Sequence, residues 1–200
     1  MHISEGVLSA PVLLGGAALT VAGTAIGLRQ LNYERIMTTA MLTSAFFVAS
    51  LIHVPIGPGN IHLVLNGLLG ILLGWVAFPA IGVALLLQAV FFQYGGILVL
   101  GVNTLLMAGP AVLCGILFKT WLTNPKRRNL AGFLAGAVAI LLSGILMAAA
   151  LALSDAGFIR VAQITLLSHI PLMVIEGIVT MFTLSFLIRV HPDILSLDKT

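Results

Sequence analysis

A run of 83 residues without Asp, Glu, Lys or Arg, positions 36–118, sets the strongest limit on how this chain can fold. A soluble domain carries about one charged residue in four, whereas only 8% of this 200-residue chain is charged and 60% is hydrophobic. At about 20 residues for each helical crossing of a bilayer, the run alone has room for three or four transmembrane helices. Strands of a membrane β-barrel would alternate apolar and polar residues, and this run does not. The sequence therefore predicts an all-α, polytopic membrane protein.

The apolar segments predict about seven transmembrane helices in a single domain that covers residues 1–200. The predicted helices are 10–28, 36–52, 61–78, 80–92, 103–122 and 130–153, followed by an apolar stretch over 156–189. That stretch is too long for one crossing, so Pro171 is expected to divide it into a short interfacial piece and the seventh span. Pro110 is expected to kink the fifth helix.

The basic residues predict the orientation of the chain. Seven crossings place the two termini on opposite faces, and cytoplasmic loops carry an excess of Lys and Arg. With the amino terminus outside, eight of the nine basic residues are cytoplasmic, namely Arg29, Arg35, Lys119, Lys126, Arg127, Arg128, Arg189 and Lys199, and Arg160 alone is outside. We therefore expect a multi-pass protein of the cell (inner) membrane with a cytoplasmic carboxyl terminus. The positive charge is explained by topology and does not imply a nucleic-acid partner.

Small residues form stripes on the first and sixth predicted helices. They are Gly15, Gly16, Ala18, Ala22, Gly23 and Gly27 on the first, and Gly132, Ala135, Gly136 and Ala139 on the sixth. Small residues at this spacing let helix backbones approach closely. The stripes predict close packing within this chain, and a docking surface for another membrane subunit is the alternative.

The amino-terminal pair Met1-His2 can chelate a metal ion. The α-amine, the backbone nitrogen of His2 and its imidazole can face one ion nearly in a plane, because the peptide between them is planar. One more nitrogen would complete a square, the geometry that Ni²⁺ and Cu²⁺ favour. The polar turn HVPIGPGNIH (53–62) is predicted on the same membrane face, and His62 is the candidate for the fourth ligand.

Four further residues are less certain members of this site. His53 ends the second predicted helix beside a proline, where it can orient the turn or act from outside the ligand set. Ser4, Glu5 and Asn60 share the predicted face; Ser4 and Glu5 can hydrogen-bond a histidine or offset metal charge, although a glutamate near a terminus is commonly plain surface.

Two other functional classes fit the sequence less well. A haem-anchoring electron-transfer subunit would use His53 and His169 as axial ligands, but it leaves Met1-His2 without a role. An enzyme is not expected: the sequence has no G-x-x-x-x-G-K-[ST] loop for ATP hydrolysis and no H-E-x-x-H or G-x-S-x-G motif. His169 and Glu176 lie seven residues apart on one helical face, and an ionisable residue inside a span marks a pairing or functional site.

The opening MHISEGVLS (1–9) resembles the M-H-I-x-E-G-x-L-S start of the CbiM/NikM family. These proteins are the substrate-specific (S) membrane components of cobalt and nickel energy-coupling-factor (ECF) transporters. The resemblance continues in VPI (54–56), HL (62–63), QAVFF (88–92) with GG (95–96), LGVNT (100–104), HIP (169–171) and IEG (175–177).

The resemblance implies a seven-helix bundle whose amino terminus is inserted from the outer face. It implies no resident cofactor and a transported Ni²⁺ or Co²⁺ ion, the latter for cobalamin biosynthesis. The ligands it implies are the Met1 amine, the amide and imidazole of His2 and a loop histidine that matches His62. Many members have a Gly/Thr/Ser-rich segment where this chain has GPGNI (57–61), so His53 and the choice of metal stay open.

The resemblance also implies partners within the bilayer and beside it. A membrane coupling subunit (T component) and paired cytoplasmic ATPases would supply the energy. A small additional membrane subunit accompanies many members of the family.

Overall fold

The computed structural model describes residues 2–56, 59–191 and 195, and only the backbone of residues 53–56 and 59–61. Seven α-helices are found in this part of the chain: α1 Ala10–Gln30, α2 Tyr33–Leu51, α3 Asn66–Leu73, α4 Ala77–Phe92, α5 Leu100–Phe118, α6 Arg128–Ser154 and α7 Ile159–Val190. Short 3₁₀ segments occupy Gly74–Val76, Lys119–Thr123 and Ala156–Phe158. Two antiparallel strands, β1 His53–Ile56 and β2 Gly59–His62, connect α2 to α3.

Five segments are long and apolar enough to cross a membrane: Ala10–Gln30, Asn66–Phe92, Leu100–Thr123, Arg128–Ser154 and Ala156–Val190. The prediction of a helical, multi-pass membrane protein is therefore confirmed. The count of seven crossings stays a prediction, because α2 is not among the five and α3 has only eight residues.

The third predicted helix, 61–78, is the least accurate of the predicted segments. Its first residues belong to β2, and α3 begins only at Asn66 and ends at Leu73. Leu65 and Gly74 both have a positive φ, 55° and 57°, and neither conformation continues a right-handed helix, so α3 is interrupted at each end. A short apolar run does not distinguish a strand from a helix, which is why the sequence pattern placed the helix too early.

The predicted break at Pro171 is also wrong. Helix α7 runs through this proline as one segment of 32 residues. At 1.5 Å per residue it is about 48 Å long, which exceeds the roughly 30 Å hydrocarbon core of a bilayer. Neighbouring helices make proline tolerable inside transmembrane helices, and α6 packs along α7. Helix α5 likewise continues through Pro110.

Helix α3 lies inside the bundle, and all eight of its residues are buried. Its first side chain, Asn66, is fully enclosed and donates hydrogen bonds to the Met107 carbonyl on α5 (3.2 Å) and to the Ser143 hydroxyl on α6 (3.0 Å). A polar group in such surroundings must be hydrogen-bonded to avoid a large desolvation cost. Asn66 therefore fixes where α3 begins relative to α5 and α6.

The bundle has two chemically different ends. At one end Arg35 contacts the Leu72 carbonyl at 3.5 Å, and a cavity is lined by Gln30, Trp75 and Lys119; we call this the basic end. Helix α2 starts at the basic end and finishes near Ser50, whose hydroxyl meets the Gln88 side chain at 2.5 Å. We call that opposite end the histidine end, because His2 and His62 lie there, next to Gln88.

The α6 stripe is buried inside the chain, as are Gly16, Gly23 and Gly27 of the α1 stripe, which agrees with the first of the two interpretations, whereas Gly15, Ala18 and Ala22 on α1 are exposed. On α1, an atom added at Gly16 would collide with Val102, and one added at Gly23 would collide with the ring of Phe78. On α6, Gly132 lies against the backbone of Met181 in α7. These contacts bring helices closer together than larger side chains would permit.

The tightest of these approaches gives a test of the packing. A Cβ atom at Gly70 would overlap the Ala111 carbonyl, so Gly70→Ala must push α3 away from α5. We expect a loss of about 1–3 kcal/mol in the free energy of unfolding, as for other overpacked cores. Thermal unfolding of the detergent-solubilised protein measures it.

Gly82→Ala is the matched control, because a Cβ there would lie 3.6 Å from Thr104, an ordinary contact. A Gly70→Ala protein as stable as the Gly82→Ala protein would contradict the observed approach of α3 to α5.

Candidate metal-binding site

The amino-terminal arm, residues 2–9, enters the histidine end of the bundle. Ile3 and Leu8 are buried in an apolar cluster with Val99 and Val102. The Asn103 side chain binds Ile3 twice, since its amide donates to the Ile3 carbonyl (3.0 Å) and its oxygen accepts from the Ile3 amide (3.0 Å). This pairing replaces the backbone partner that an extended segment lacks, and it fixes the position of the residue that follows His2.

A chain of hydrogen bonds orients the His2 imidazole. The Ser50 hydroxyl donates to the Phe47 carbonyl (2.6 Å), so it accepts from the Gln88 amide (2.5 Å). The Gln88 oxygen therefore faces His2 Nε2 at 2.8 Å, and Nε2 must carry the proton. The lone pair of the neutral ring is then on Nδ1, the nitrogen nearer the backbone, which is the one that can share a chelate ring with the His2 amide nitrogen.

His62 lies beside His2, with 5.5 Å between the ring centroids and 30° between the ring planes. It is 6% exposed and ends β2. Its Nδ1 lies 3.1 Å from the Leu63 carbonyl, so Nδ1–H donates and Nε2 keeps the lone pair. The structure thus brings together two imidazoles that are 60 positions apart in sequence.

The loop after α4 closes one side of the two-histidine site. The Tyr94 ring lies 6.1 Å from the His2 ring and 5.9 Å from the Phe92 ring. Gly95, with φ of 77°, approaches so closely that a Cβ atom would lie 2.8 Å from the Asn103 amide. Helix α4 ends at Phe92, as its predicted range of 80–92 indicates, and the turn at Gly95 then brings the following loop against the site.

The less certain site residues lie in different places. The Glu5 carboxylate accepts from the Leu98 amide at 3.0 Å and lies against Gly96, and Ser4 is exposed. Met1 lies outside the described residues, as do the side chains of His53 and Asn60. The backbone register pairs His53 directly with His62, and a role for His53 stays a prediction.

His169 is the histidine of α7. It is buried on α7 next to Gly144, and its Nδ1 donates to the Thr165 carbonyl at 2.6 Å. Over the described residues, no three His, Cys, Asp or Glu side chains form a cluster that could hold a metal ion. A site with two imidazoles therefore needs other donors, and main-chain nitrogens are the ones that the predicted chelate uses.

Two supporting residues, Gln88 and Asn103, were not predicted as part of the site. Both are uncharged polar residues within long apolar helices, and both are almost fully buried. Their polarity in such surroundings signals an obligatory hydrogen-bond partner, but the sequence pattern does not reveal that the partners are His2 and Ile3.

The arrangement suits coordination of a small cation. Each ring is held by a hydrogen bond through one nitrogen, and in the neutral form of the ring the other nitrogen, His2 Nδ1 or His62 Nε2, carries the lone pair that can bind a metal ion. Imidazole nitrogens bind Ni²⁺, Cu²⁺, Zn²⁺ and Co²⁺ well, and hydrogen bonds to the second ring nitrogen fix the tautomer and the ring orientation of metal-binding histidines.

Comparison with known proteins agrees with this chemistry. The relatives include the "Putative metal transport protein" of Haemophilus influenzae, which is 45% identical over 98% of this chain and 97% of its own length. The "Cobalt transport protein CbiM" of Kyrpidia tusciae is 32% identical over 98% of this chain and 86% of its own length. The "Fused nickel transport protein NikMN" of Rhodobacter capsulatus is 38% identical over 58% of this chain and 36% of its own length.

The fold matches the crystal structure of a truncated transition metal transporter with a TM-score of 0.83, over 96% of this chain and 100% of that one, at 24% identity. The model of the CbiM family, described as a cobalt uptake substrate-specific transmembrane region, matches residues 2–194. These findings favour metal-ion transport over the haem-anchoring alternative. The chain belongs to the CbiM family of cobalt uptake, substrate-specific transmembrane proteins.

Proposed function

We propose that this chain is the substrate-binding membrane subunit of an ECF-type importer of Ni²⁺ or Co²⁺. The metal ion is the transported substrate, and the chain carries out no catalysis. Its proposed ligands are the Met1 amine, the backbone nitrogen and imidazole of His2, and the imidazole of His62. Residues 1–200 form a single domain that crosses the cell membrane seven times.

The observation that carries the proposal is the distance between the two imidazoles. Two rings that bind one ion through nitrogen have centroids about 4.5 Å apart at a right angle and about 6.4 Å apart when opposite, for bonds of about 2.05 Å. The 5.5 Å between His2 and His62 lies within this range. Sharing one ion therefore requires a change of about 1 Å in ring position and no rearrangement of helices.

The order of atoms in the terminal chelate assigns the place of His62. The His2 backbone nitrogen is the middle one of the three donors, and the amine and the imidazole would bind on either side of it. In a square-planar complex the fourth coordination position then lies opposite the backbone nitrogen. His62 would occupy this position, at a right angle to the His2 imidazole. Four nitrogens in a plane suit Ni²⁺, and Co²⁺ is the ion that the family description and the K. tusciae relative name.

The energy for import would come from partners. We propose a membrane coupling subunit, two cytoplasmic ATPases and a small additional membrane subunit. The fused NikMN relative supports a further component in the same system, since its chain is much longer than the part matched here. The lipid bilayer is the remaining partner, and nucleic acid is not one.

The two ends of the bundle support the proposed orientation. Arg35, Lys119 and Arg128 lie at or near the basic end, and the metal ligands lie at the histidine end. Since cytoplasmic segments are rich in Lys and Arg, the histidine end and the amino terminus face outward, and the carboxyl terminus is cytoplasmic. Metal would thus enter from outside.

An extension of the amino terminus tests the proposal most directly. One residue added before Met1 turns the amine into an amide and moves His2 along the chain. Because the amine would be lost as a ligand, we expect Ni²⁺ and Co²⁺ binding to be abolished. The measurement is metal titration of the purified protein against a competing chelator.

The control carries the same extension after Thr200 and should bind like the unmodified protein. Equal affinity of the two extended proteins would refute coordination by the terminus.

Alanine substitutions test the imidazoles. His2→Ala and His62→Ala should each reduce metal uptake to background, whereas His53→Ala should retain substantial uptake. Uptake of radioactive metal by cells that also produce the partner subunits measures this, with His191→Ala as the control because His191 is exposed beyond the end of α7. An inactive His53→Ala with an active His62→Ala would assign the loop ligand to His53 instead.

Thiol labelling tests the orientation. In a Cys114→Ala background, a cysteine at position 60 should react in intact cells with a reagent that cannot cross the membrane, because the hairpin is outside. A cysteine at Lys126, which is exposed in the loop before α6, should react only after the cells are opened. The reverse pattern would overturn the orientation and the route of entry.

A further inference from the structure

Glu176 is a buried carboxylate in the middle of α7 and is completely shielded from solvent. Its oxygens accept hydrogen bonds from the backbone amides of Val64 and Leu65, the latter at 3.1 Å to each oxygen. These amides belong to the short segment that joins β2 to α3. A residue on the last helix therefore holds the backbone that directly follows the metal-binding histidine.

The backbone amides of Val64 and Leu65 form a site that favours a negatively charged group. Leu65 has φ of 55° and ψ of 17°, a left-handed conformation that costs a non-glycine residue energy. Successive amides next to a left-handed residue converge to form a concave anion-binding nest, and Leu65 also precedes the positive amino-terminal end of α3. The Glu176 carboxylate occupies this nest and compensates for the conformation of Leu65.

The same rigid group links Glu176 to His62. The Leu63 carbonyl and the Val64 amide belong to one planar peptide unit. Its amide end donates to Glu176, and its carbonyl end accepts from His62 Nδ1 at 3.1 Å. Rotation of this peptide would break both hydrogen bonds at once. Hydrogen bonds in such a chain also polarise one another.

We propose that Glu176 is a positioning residue for the His62 ligand. By holding the Leu63–Val64 peptide in place, it presents the carbonyl that fixes the His62 tautomer with the Nε2 lone pair toward the metal. This inference rests on the proposed function, in which His62 binds the transported ion. It assigns to α7 a part in the site, although α7 supplies no ligand.

The first measurement compares two substitutions on α7. Glu176→Gln keeps the size of the side chain but replaces an acceptor oxygen with an amide group that would face a backbone N–H. We expect the affinity for Ni²⁺, measured against a competing chelator on the full-length protein, to fall about 10- to 100-fold, as for other residues that orient metal ligands.

Thr180→Val is the matched control, because Thr180 is buried one turn further along α7 and its hydroxyl has no partner within the described part of the chain. It should bind Ni²⁺ like the unmodified protein.

A double-mutant cycle separates positioning from a general structural role. The His62→Ala protein retains the three nitrogens of the terminal chelate and should still bind Ni²⁺ measurably. If Glu176 acts through His62, adding Glu176→Gln to His62→Ala should cause no further loss of affinity. The same fold-loss in both backgrounds would indicate independent effects and would overturn the inference.

Two further outcomes are distinguishable. If the binding of Ni²⁺ to the unmodified protein does not depend on His62, the proposed ligand set fails and the inference fails with it. If binding depends on His62 but Glu176→Gln has unchanged affinity, only the inference fails. If Glu176→Gln does not insert into the membrane, Glu176→Asp replaces it in the double-mutant cycle. This variant keeps the negative charge, but its side chain is shorter by one methylene, so the carboxylate lies further from the Val64 and Leu65 amides.

Discussion

The paired hydrogen bonds between Asn103 and the backbone of Ile3 are the interaction on which the candidate site depends. They hold an extended segment inside a helical bundle, where water is not available to satisfy its amide and carbonyl groups. Without them, burial of Ile3 would leave two backbone groups unpaired, at a cost of about 1–3 kcal/mol each. The position of His2 follows from this anchor, and Gln88 then sets the orientation of its ring.

The same principle applies to the irregular segment before α3. Glu176 extends from α7 and accepts from the amides of this segment. Asn66, at the start of α3, bonds across to α5 and α6. Together they position the two segments that carry His2 and His62, and they do so from helices that are themselves rigid and closely packed.

Much of this architecture could be predicted from the sequence, because apolar composition and length largely determine membrane helices. The end of the fourth helix at Phe92 and the burial of the small residues on the sixth helix were predicted correctly. The hairpin and the late start of α3 were not, since hydropathy does not report the left-handed turn at Leu65. The continuity of α7 through Pro171 was also missed, because its support comes from α6, a tertiary contact that local rules ignore. The pairing of His2 with His62 followed from topology and motif resemblance, whereas their supports, Gln88 and Asn103, were present only within the QAVFF and LGVNT segments of that resemblance and had no assigned role.

The burial of α3 has a consequence for the biogenesis of the protein. This short helix and the two residues before it take hydrogen-bond partners from residues that are made later: Met107, Ser143 and Glu176. A nascent chain that has not yet produced α7 lacks the carboxylate that fills the nest at Leu65. Residues 64–66 can therefore complete these hydrogen bonds only after α5, α6 and α7 have been made. The backbone next to His62 is synthesised before its partner on α7 exists.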